Sequence, residues 1–226
     1  MELKGRLKLI AEMAGKCDTV CDIGTDHAYI PIYLVENKFC KRAVAADVRE
    51  GPVLIAKENV AQYGLEAFID VRLGYGLDPV DDGEEDVFVI AGMGGMLVRD
   101  IISRGMDRAV KASKLVLQPM NAPEVIRGWL YGNGFEIVDE ALQAEGRKLY
   151  CVMCARWTGA ERELDEVYNY IGIKLIEKKD PLIKRYVENW VKYLDKVIEG
   201  LGKSNYDNEQ AIADSRTLRD KMLELI

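Results

Sequence analysis

Short β-rich runs alternate with helical stretches along most of this chain, and that alternation limits its possible folds more than any other feature. Between Thr19 and Trp157, the runs are separated by helical stretches that begin and end at Gly, Pro or Asp residues. This order is typical of an α/β protein whose mostly parallel sheet has helices on both faces. It predicts a helix over Glu2–Ala14, and seven strands at residues 19–23, 42–47, 67–73, 86–91, 114–118, 136–144 and 148–157.

Residues 159–226 carry no strand signal. Apolar side chains such as Val167, Ile171 and Leu175 recur there every three or four positions, which predicts helices. Asp180-Pro181 fits the cap and first position of one of them. We therefore predict two domains, residues 1–158 with the sheet and residues 159–226 with about three helices in an antiparallel hairpin or a coiled-coil-like arrangement.

The charge balance argues against general attraction to nucleic acid or to anionic membranes. Lys and Arg total 31, Asp and Glu total 38, and the formal net charge is −7. Apolar runs such as Val87–Ala91 are far shorter than the roughly 20 residues that span a bilayer, and the first residues lack a signal-peptide apolar block. We expect a soluble cytoplasmic protein with no membrane contact.

The chain has five cysteines, an odd number in a protein long enough to build its own core. We expect no disulfide framework and reduced thiols. Cys151 and Cys154 have the spacing of a CxxC motif, but they lie in an apolar run that is typical of a buried strand. Because a structural zinc needs about four ligands and no second pair follows, no metal site is predicted.

The first strand ends in a polar turn that offers a ligand site. In doubly wound sheets, nucleotide-like cofactors bind beyond the carboxyl ends of the strands, where glycine lets the backbone approach. The turn lacks the G-x-G-x-x-G of a dinucleotide site. Its carboxylates would repel a phosphate and attract a cation, which favours S-adenosylmethionine over NAD. The candidate residues in this turn are Asp22, Gly24, Thr25, Asp26 and His27.

Three further strand ends add candidate cofactor contacts. Asp47 lies 23 residues after Gly24, close to the spacing of about 20 at which an acidic residue meets ribose hydroxyls in such folds. The glycines after the third and fourth strands could admit an adenine ring and the reacting groups, although each could instead form an ordinary tight turn. The candidates at these ends are Asp47, Val48, Gly74, Tyr75, Gly76 and Gly92.

The ends of the fourth and fifth strands offer contacts to a base that would accept the methyl group. Gly92, Met93 and Gly94 present backbone whose carbonyl oxygens can accept hydrogen bonds from an exocyclic amine. Gln118 and Asn121 add two side-chain amides, which could equally cap the helix that follows.

Together these blocks resemble the bacterial TrmK family of tRNA methyltransferases. The resemblance implies a class I Rossmann-like methyltransferase fold with an antiparallel final strand, followed by a helical, coiled-coil-like domain that helps hold tRNA. It also implies S-adenosylmethionine as cofactor and N1 of adenosine 22 of tRNA as methyl acceptor. Tyr75 departs from the family pattern, where a small polar residue is usual, and so does Asn121, which follows Met120 rather than Pro119. The segments that carry the likeness are Gly5–Leu7, Asp22–Pro31, Glu50–Pro52, Val71–Gly74, Gly92–Gly95 and Leu117–Pro119.

Methyl transfer from a sulfonium needs alignment more than a strong acid or base. Asp26 is our candidate for stabilising the positive charge that develops on the base. His27, the single histidine, could accept a proton or stack on the base, or only fix the turn. Gly92 and Met93 complete the candidate catalytic set.

An acidic protein needs a local basic patch to bind RNA phosphates. The cations on and after the helix that follows the glycine-rich block are the candidates, with Lys4, Arg6 and Lys8 as possible additions. A solvated helix face would explain the same charges. The candidate patch is Arg99, Arg104, Arg108, Lys111 and Lys114.

Three other functions remain open at this point. The chain could methylate another RNA position or a small molecule, or it could be a binding protein that keeps the fold without catalysis, although the intact glycine-rich block argues against the latter. A nicotinamide oxidoreductase is disfavoured by the missing G-x-G-x-x-G. We expect a monomer with no obligate protein partner.

Overall fold

The computed structural model describes residues 1–204 and 206–226, and in these residues one seven-stranded sheet forms the centre of the molecule. The strands are β1 Cys17–Ile23, β2 Cys40–Asp47, β3 Ile69–Leu73, β4 Val87–Met93, β5 Lys114–Pro119, β6 Phe135–Glu145 and β7 Lys148–Trp157. Their order is β3-β2-β1-β4-β5-β7-β6. β1 to β5 are parallel, and β7 is antiparallel to β5 and β6. All seven predicted strands are confirmed.

Helices cover both faces of the sheet because its central strands are apolar on both sides. Successive β4 residues Val87, Phe88, Val89 and Ile90 are all buried. Phe88 and Ile90 enter one core cluster and Val87 and Val89 the other, as the two-residue period of a strand requires. The predicted first helix begins at Gly5 rather than Glu2. The covering helices are α1 Gly5–Ala14, α2 Tyr29–Glu36, α3 Glu50–Gln62, α4 Gly95–Arg104, α5 Met106–Ala109 and α6 Pro123–Gly132.

The C-terminal residues are helical, as predicted, but the helices begin at other residues than expected. The first predicted helix is divided at Gly172, whose φ of +81° suits glycine and where a Cβ would collide with Glu140. Asp180 does not cap a helix. Its carboxylate accepts hydrogen bonds from the backbone N–H of Leu182 (2.9 Å) and of Leu142 in β6 (3.1 Å), and the next helix begins at Ile183. The helices are α7 Val167–Ile171, α8 Ile173–Glu177, α9 Ile183–Gly202 and α10 Glu209–Leu223.

The C-terminal helices share a hydrophobic core with the sheet. Ile171, Val187 and Leu218 belong to the same buried cluster as Phe88 and Ile90. None of the helices within the described residues is both long enough and apolar enough to cross a bilayer.

A buried ion pair joins the sheet to α6 and the C-terminal helices. Arg127 on α6 and Glu140 on β6 are both fully buried, with Nε of the arginine 2.7 Å from Oε1 of the glutamate. The remaining guanidinium nitrogens donate to the carbonyl oxygens of Asn169 and Tyr170 (both 2.8 Å) and to Sγ of Cys151 (3.1 Å). One side chain therefore holds four segments together.

The prediction that all five cysteines are reduced is wrong for two of them. Cys17 and Cys40 form a disulfide, because they are the first residues of β1 and β2 and stand opposite each other in the parallel register. Cys21, Cys151 and Cys154 are buried free thiols, and burial raises the pKa of each to about 12. Cys151 and Cys154 enter opposite core clusters, so their CxxC spacing on a strand does not bring the sulfurs together.

We expect Arg127→Met to lower the free energy of unfolding by about 3–5 kcal/mol, because Glu140 would then keep an uncompensated buried charge. Urea denaturation measures this. Arg156→Ala is the control, since it breaks an exposed pair with Glu136 (3.1 Å) and should cost less than about 1 kcal/mol. Arg127→Met/Glu140→Leu should recover part of the loss, and a double variant no more stable than Arg127→Met would contradict this account.

Candidate active site

A cavity of about 580 Å³ opens at the carboxyl ends of β1, β2 and β4. It gathers most of the residues that the sequence predicts for cofactor binding and catalysis: Asp22, Gly24, Thr25, Asp26, His27, Asp47, Val48, Gly92 and Met93. Parallel strands end at one edge of a sheet, so residues that are far apart in the chain converge there. Sequence reasoning did not include several residues of the wall, which are Leu7, Ala28, Tyr29, Ile30, Arg49, Ala91 and Leu97.

The turn after β1 is held by the backbone of β2. The N–H groups of Gly24 and Thr25 both donate to the carbonyl oxygen of Ala46 (2.7 and 2.9 Å). Gly24 has a φ of +78°, and a Cβ there would collide with the end of the Met93 side chain. The Thr25 hydroxyl accepts a hydrogen bond from the N–H of Ala28 at 3.1 Å. Glycine is therefore needed to keep the strand end open.

Two buried carboxylates form the floor of the cavity. Asp22 is 7% exposed, and burial raises its pKa to about 6, with the nearby Thr25 hydroxyl opposing the shift and Asp47 adding to it. Asp47 is 5% exposed, and its Oδ1 accepts hydrogen bonds from the backbone N–H (2.8 Å) and Nε (3.2 Å) of Arg49. This floor suits a ligand that carries a cation and hydroxyl donors.

An acidic and aromatic group stands at the mouth of the cavity. Nδ1 of His27 lies 3.0 Å from Oδ2 of Asp26, and both side chains are exposed to solvent. The His27 ring stacks on Tyr29 with centroids 5.0 Å apart and an interplanar angle of 21°. Asn59 fixes the backbone here by donating from Nδ2 to the carbonyl oxygen of His27 (3.0 Å). The mouth thus offers a carboxylate beside a flat surface.

Arg6 also lies in the wall of the cavity. The sequence analysis named it only as a possible member of a basic patch. Its Nη1 donates to Oε1 of the fully buried Gln118 at 2.7 Å, and the same oxygen accepts a hydrogen bond from the N–H of Gly92 at 3.3 Å. The guanidinium lies 5.2 Å from the centroid of the Tyr150 ring. Arg6 belongs to the Gly5–Leu7 segment, one of those that resemble the TrmK family, and this resemblance was the only sequence feature that could have pointed to it.

The ends of β4 and β5 touch through glycine. A Cβ on Gly94 would lie 2.9 Å from Oδ1 of Asn121. These two residues, which were both predicted to contact the acceptor base, are therefore neighbours. The N–H of Gly95 donates to the carbonyl oxygen of Asn121 (3.0 Å), which fixes the start of α4 against the β5 end.

The turn after β3 lies beside this cavity. Among the described residues that line the cavity wall, none comes from this turn. Gly74 donates its N–H to the carbonyl oxygen of Asp47 at 3.0 Å. Tyr75 turns toward the core, and the Arg104 guanidinium lies 4.5 Å from the centroid of its ring. Gly76 has a φ of +51° and approaches Ile101. Tyr75 is therefore occupied by a contact to α4.

The predicted basic patch is dispersed and partly neutralised. Arg108 and Lys111 approach Asp82 and Glu85 in the loop before β4, at 3.7 and 3.4 Å. Arg99 pairs with the neighbouring Asp100 at 2.7 Å. Lys114 donates to the carbonyl oxygens of residues 13 and 14, at the amino end of β5 and so at the opposite end of that strand from the cavity. Charge counting could not anticipate these acidic partners.

A mostly parallel sheet with an antiparallel final strand, and an acidic pocket where β1 and β2 end, defines a class I Rossmann-like methyltransferase. A family model described as a methyltransferase domain matches residues 3–153.

Individual relatives narrow this class. The chain is 32% identical over 230 residues to the tRNA (adenine(22)-N(1))-methyltransferase of Bacillus subtilis, covering 100% of this chain and 93% of that protein. The crystal structure of the B. subtilis m1A22 tRNA methyltransferase TrmK has a TM-score of 0.88 at 30% identity, covering 100% and 99% of the two chains. M. capricolum TrmK in complex with S-adenosylhomocysteine gives 0.84 at 27% identity, covering 99% and 97%. The chain belongs to the TrmK family of tRNA methyltransferases.

Asp22→Asn should stabilise the ligand-free protein at neutral and alkaline pH. The native pKa of about 6 exceeds the reference value of 3.8, so the ionised carboxylate costs stability above pH 6, and this cost vanishes as the pH falls below about 4. We expect a gain of up to about 3 kcal/mol at pH 8 that disappears at pH 4. Urea denaturation across this pH range measures it. Asp26→Asn, at an exposed carboxylate, is the control, and a pH-independent gain for Asp22→Asn would refute the assignment.

Proposed function

We propose that this protein transfers the methyl group of S-adenosylmethionine to N1 of adenosine 22 in tRNA. The observation that carries the proposal is the buried pair Asp22 and Asp47 below the bare backbone of Gly92, in a chain similar over its whole length to the B. subtilis enzyme that is named for this reaction.

The cavity fits the cofactor in charge and shape. S-adenosylmethionine supplies a methyl group that is activated by a sulfonium. We assign its amino group to Asp22, whose buried carboxylate forms no ion pair with any of the described residues, and its ribose to Asp47 and Val48. Gly24, Thr25 and Gly92 offer backbone at close approach. The adenine ring would lie toward the turn after β3, formed by Gly74, Tyr75 and Gly76, where Gly74 already bonds to Asp47.

The acceptor adenine would enter from the mouth of the cavity. Taking it out of the tRNA stack costs a few kcal/mol, and the stacked rings of His27 and Tyr29 offer a surface that offsets part of this cost. As the N1–methyl bond forms, positive charge develops on the base, and Asp26 stabilises that charge. The backbone of Met93 and Gly94 and the amide of Asn121 would hold the base edge. Gln118 is fully buried and already bonded to Arg6 and Gly92, so it would act on the base only by positioning those two residues.

We further propose that residues 1–158 form the catalytic domain and that residues 159–226, with α9 and α10 as a coiled-coil-like pair, hold tRNA. The protein would act as a monomer in the cytoplasm, where its substrate is. To contact RNA phosphates, Arg99, Arg108 and Lys111 would have to leave their acidic partners. Arg104 would have to leave the Tyr75 ring, and Lys114 the carbonyl oxygens of residues 13 and 14.

The first test is a filter assay with labelled S-adenosylmethionine and unmodified tRNA transcripts that carry adenosine or guanosine at position 22. We expect label in the adenosine transcript alone. Equal labelling of both transcripts would mean that another nucleotide is the acceptor. Clear cofactor binding without transfer to either transcript would refute the proposed substrate.

Asp26→Asn should lower the single-turnover rate by about 10- to 1000-fold, the range for removing one group that stabilises developing charge. Because Asp26 lies at the mouth and Asp22 and Asp47 form the floor, cofactor affinity should stay within about twofold. Rapid-quench kinetics with saturating cofactor and tRNA measure the rate, and equilibrium binding gives the affinity. Lys41→Ala, at an exposed residue paired with Asp18 at the amino end of β1, is the control. An unchanged rate for Asp26→Asn would exclude the charge-stabilising role.

A further inference from the structure

A second cavity, of about 540 Å³, lies between the end of β5 and the exposed face of α9. Its wall includes three aromatic rings of α9 and one of β7, with two cations from the β6–β7 hairpin at its edge. These residues are Tyr186, Trp190, Tyr193, Tyr150, Arg147 and Lys148. None of them is needed to form the cofactor cavity.

The second cavity adjoins the active site at Arg6 and Asn121. Asn121 lines the second cavity and touches Gly94 at the reacting end of β4. Arg6 lines the cofactor cavity and stacks on Tyr150, which lines the second one. A polymer bound with one unit at the cofactor cavity would therefore pass directly to the second cavity.

The aromatic rings form an edge-to-face cluster with one exposed ring. Trp190 packs edge-on against Tyr170, with centroids 4.9 Å apart, and against Tyr193, with centroids 5.6 Å apart. Tyr193 nevertheless remains 54% exposed. Base stacking on such rings is a general means of holding unpaired nucleotides.

The polar groups divide the cavity into an inner and an outer part. Oε2 of Glu124 and the hydroxyl of Tyr186, both buried in its wall, have no hydrogen-bond partner among residues 1–204 and 206–226. An acceptor carboxylate suits the N–H groups of a base edge and repels phosphate. Arg147 and Lys148 are exposed at the hairpin, whose turn is fixed by hydrogen bonds from Arg185 to the carbonyl oxygens of Gly146 and Arg147.

We propose that this second cavity binds an unpaired nucleotide that flanks the methylated adenosine, with its base on Trp190 and Tyr193 and its phosphate at Arg147 and Lys148. The proposal rests on the proposed function, since the flanking position is defined by an adenosine in the cofactor cavity. Holding the neighbour out of its own stack would help to keep the target adenosine extruded.

The test uses tryptophan emission of the whole protein titrated with single-stranded hexaadenylate. We expect quenching in the wild type, loss of the emission change in Trp190→Phe, which keeps an aromatic ring in the cluster, and about tenfold weaker binding in Tyr193→Ala. Tyr206→Ala is the matched control, because Tyr206 is an 84% exposed tyrosine in the turn between α9 and α10. Arg147→Ala/Lys148→Ala should lower the salt dependence of binding.

Three results would overturn the subsite: no quenching, binding by Tyr193→Ala as tight as that of the wild type, or equal quenching by inorganic polyphosphate, which would show charge attraction without stacking. These readouts need no methyl transfer. If hexaadenylate quenches Trp190 but neither tRNA transcript is labelled, the proposed reaction fails and RNA binding at the second cavity stands. If the adenosine transcript is labelled and Trp190 does not respond, the subsite fails and the reaction stands.

Discussion

The buried ion pair between Arg127 and Glu140 is the interaction on which the rest of the architecture depends. An arginine removed from water must have its donors satisfied, and here the partners come from β6, β7 and the segment around α7. The positions of α6, β6, β7 and α7 therefore depend on one another, because α6 carries the guanidinium that the other three contact. Arg185 of α9 donates in addition to the carbonyl oxygens of Gly146 and Arg147, which holds α9 against the hairpin of β6 and β7 and gives the second cavity its wall.

The two cavities differ in charge although they are neighbours. The cofactor cavity has two buried carboxylates on its floor, whereas the second cavity has aromatic rings and cations at its edge. Arg6 stands between them and is held by Gln118 on one side and Tyr150 on the other. On the two proposals, a cationic cofactor and a polyanionic substrate would be directed to separate places, which the formal net charge of −7 does not reveal.

The sheet was predictable because strands that are buried on both faces appear as continuous apolar runs between turn residues. The convergence of Asp22, Asp47 and Gly92 was predictable for the same reason, since parallel strands end together. Arg6 was not, because its position depends on α1 packing beside β5, which is a long-range contact. The acidic partners of Arg108 and Lys111, which are Asp82 and Glu85, were not predictable because they come from a loop whose course the sequence pattern does not specify. Register, which pattern reasoning also leaves open, brings Cys17 opposite Cys40.

Asp22 shows how the site trades stability for affinity. Its ionised carboxylate is unfavourable in the ligand-free protein because burial removes water and no cation within residues 1–204 and 206–226 pairs with it. A ligand ammonium placed at this carboxylate would supply the missing charge and lower the pKa again. The free energy lost by folding around a bare carboxylate would then reappear as binding free energy for a cationic ligand, while a neutral ligand of the same shape would gain none of it. On the proposed assignment, a buried acid at the end of β1 would therefore favour a cationic ligand over a neutral one of the same shape.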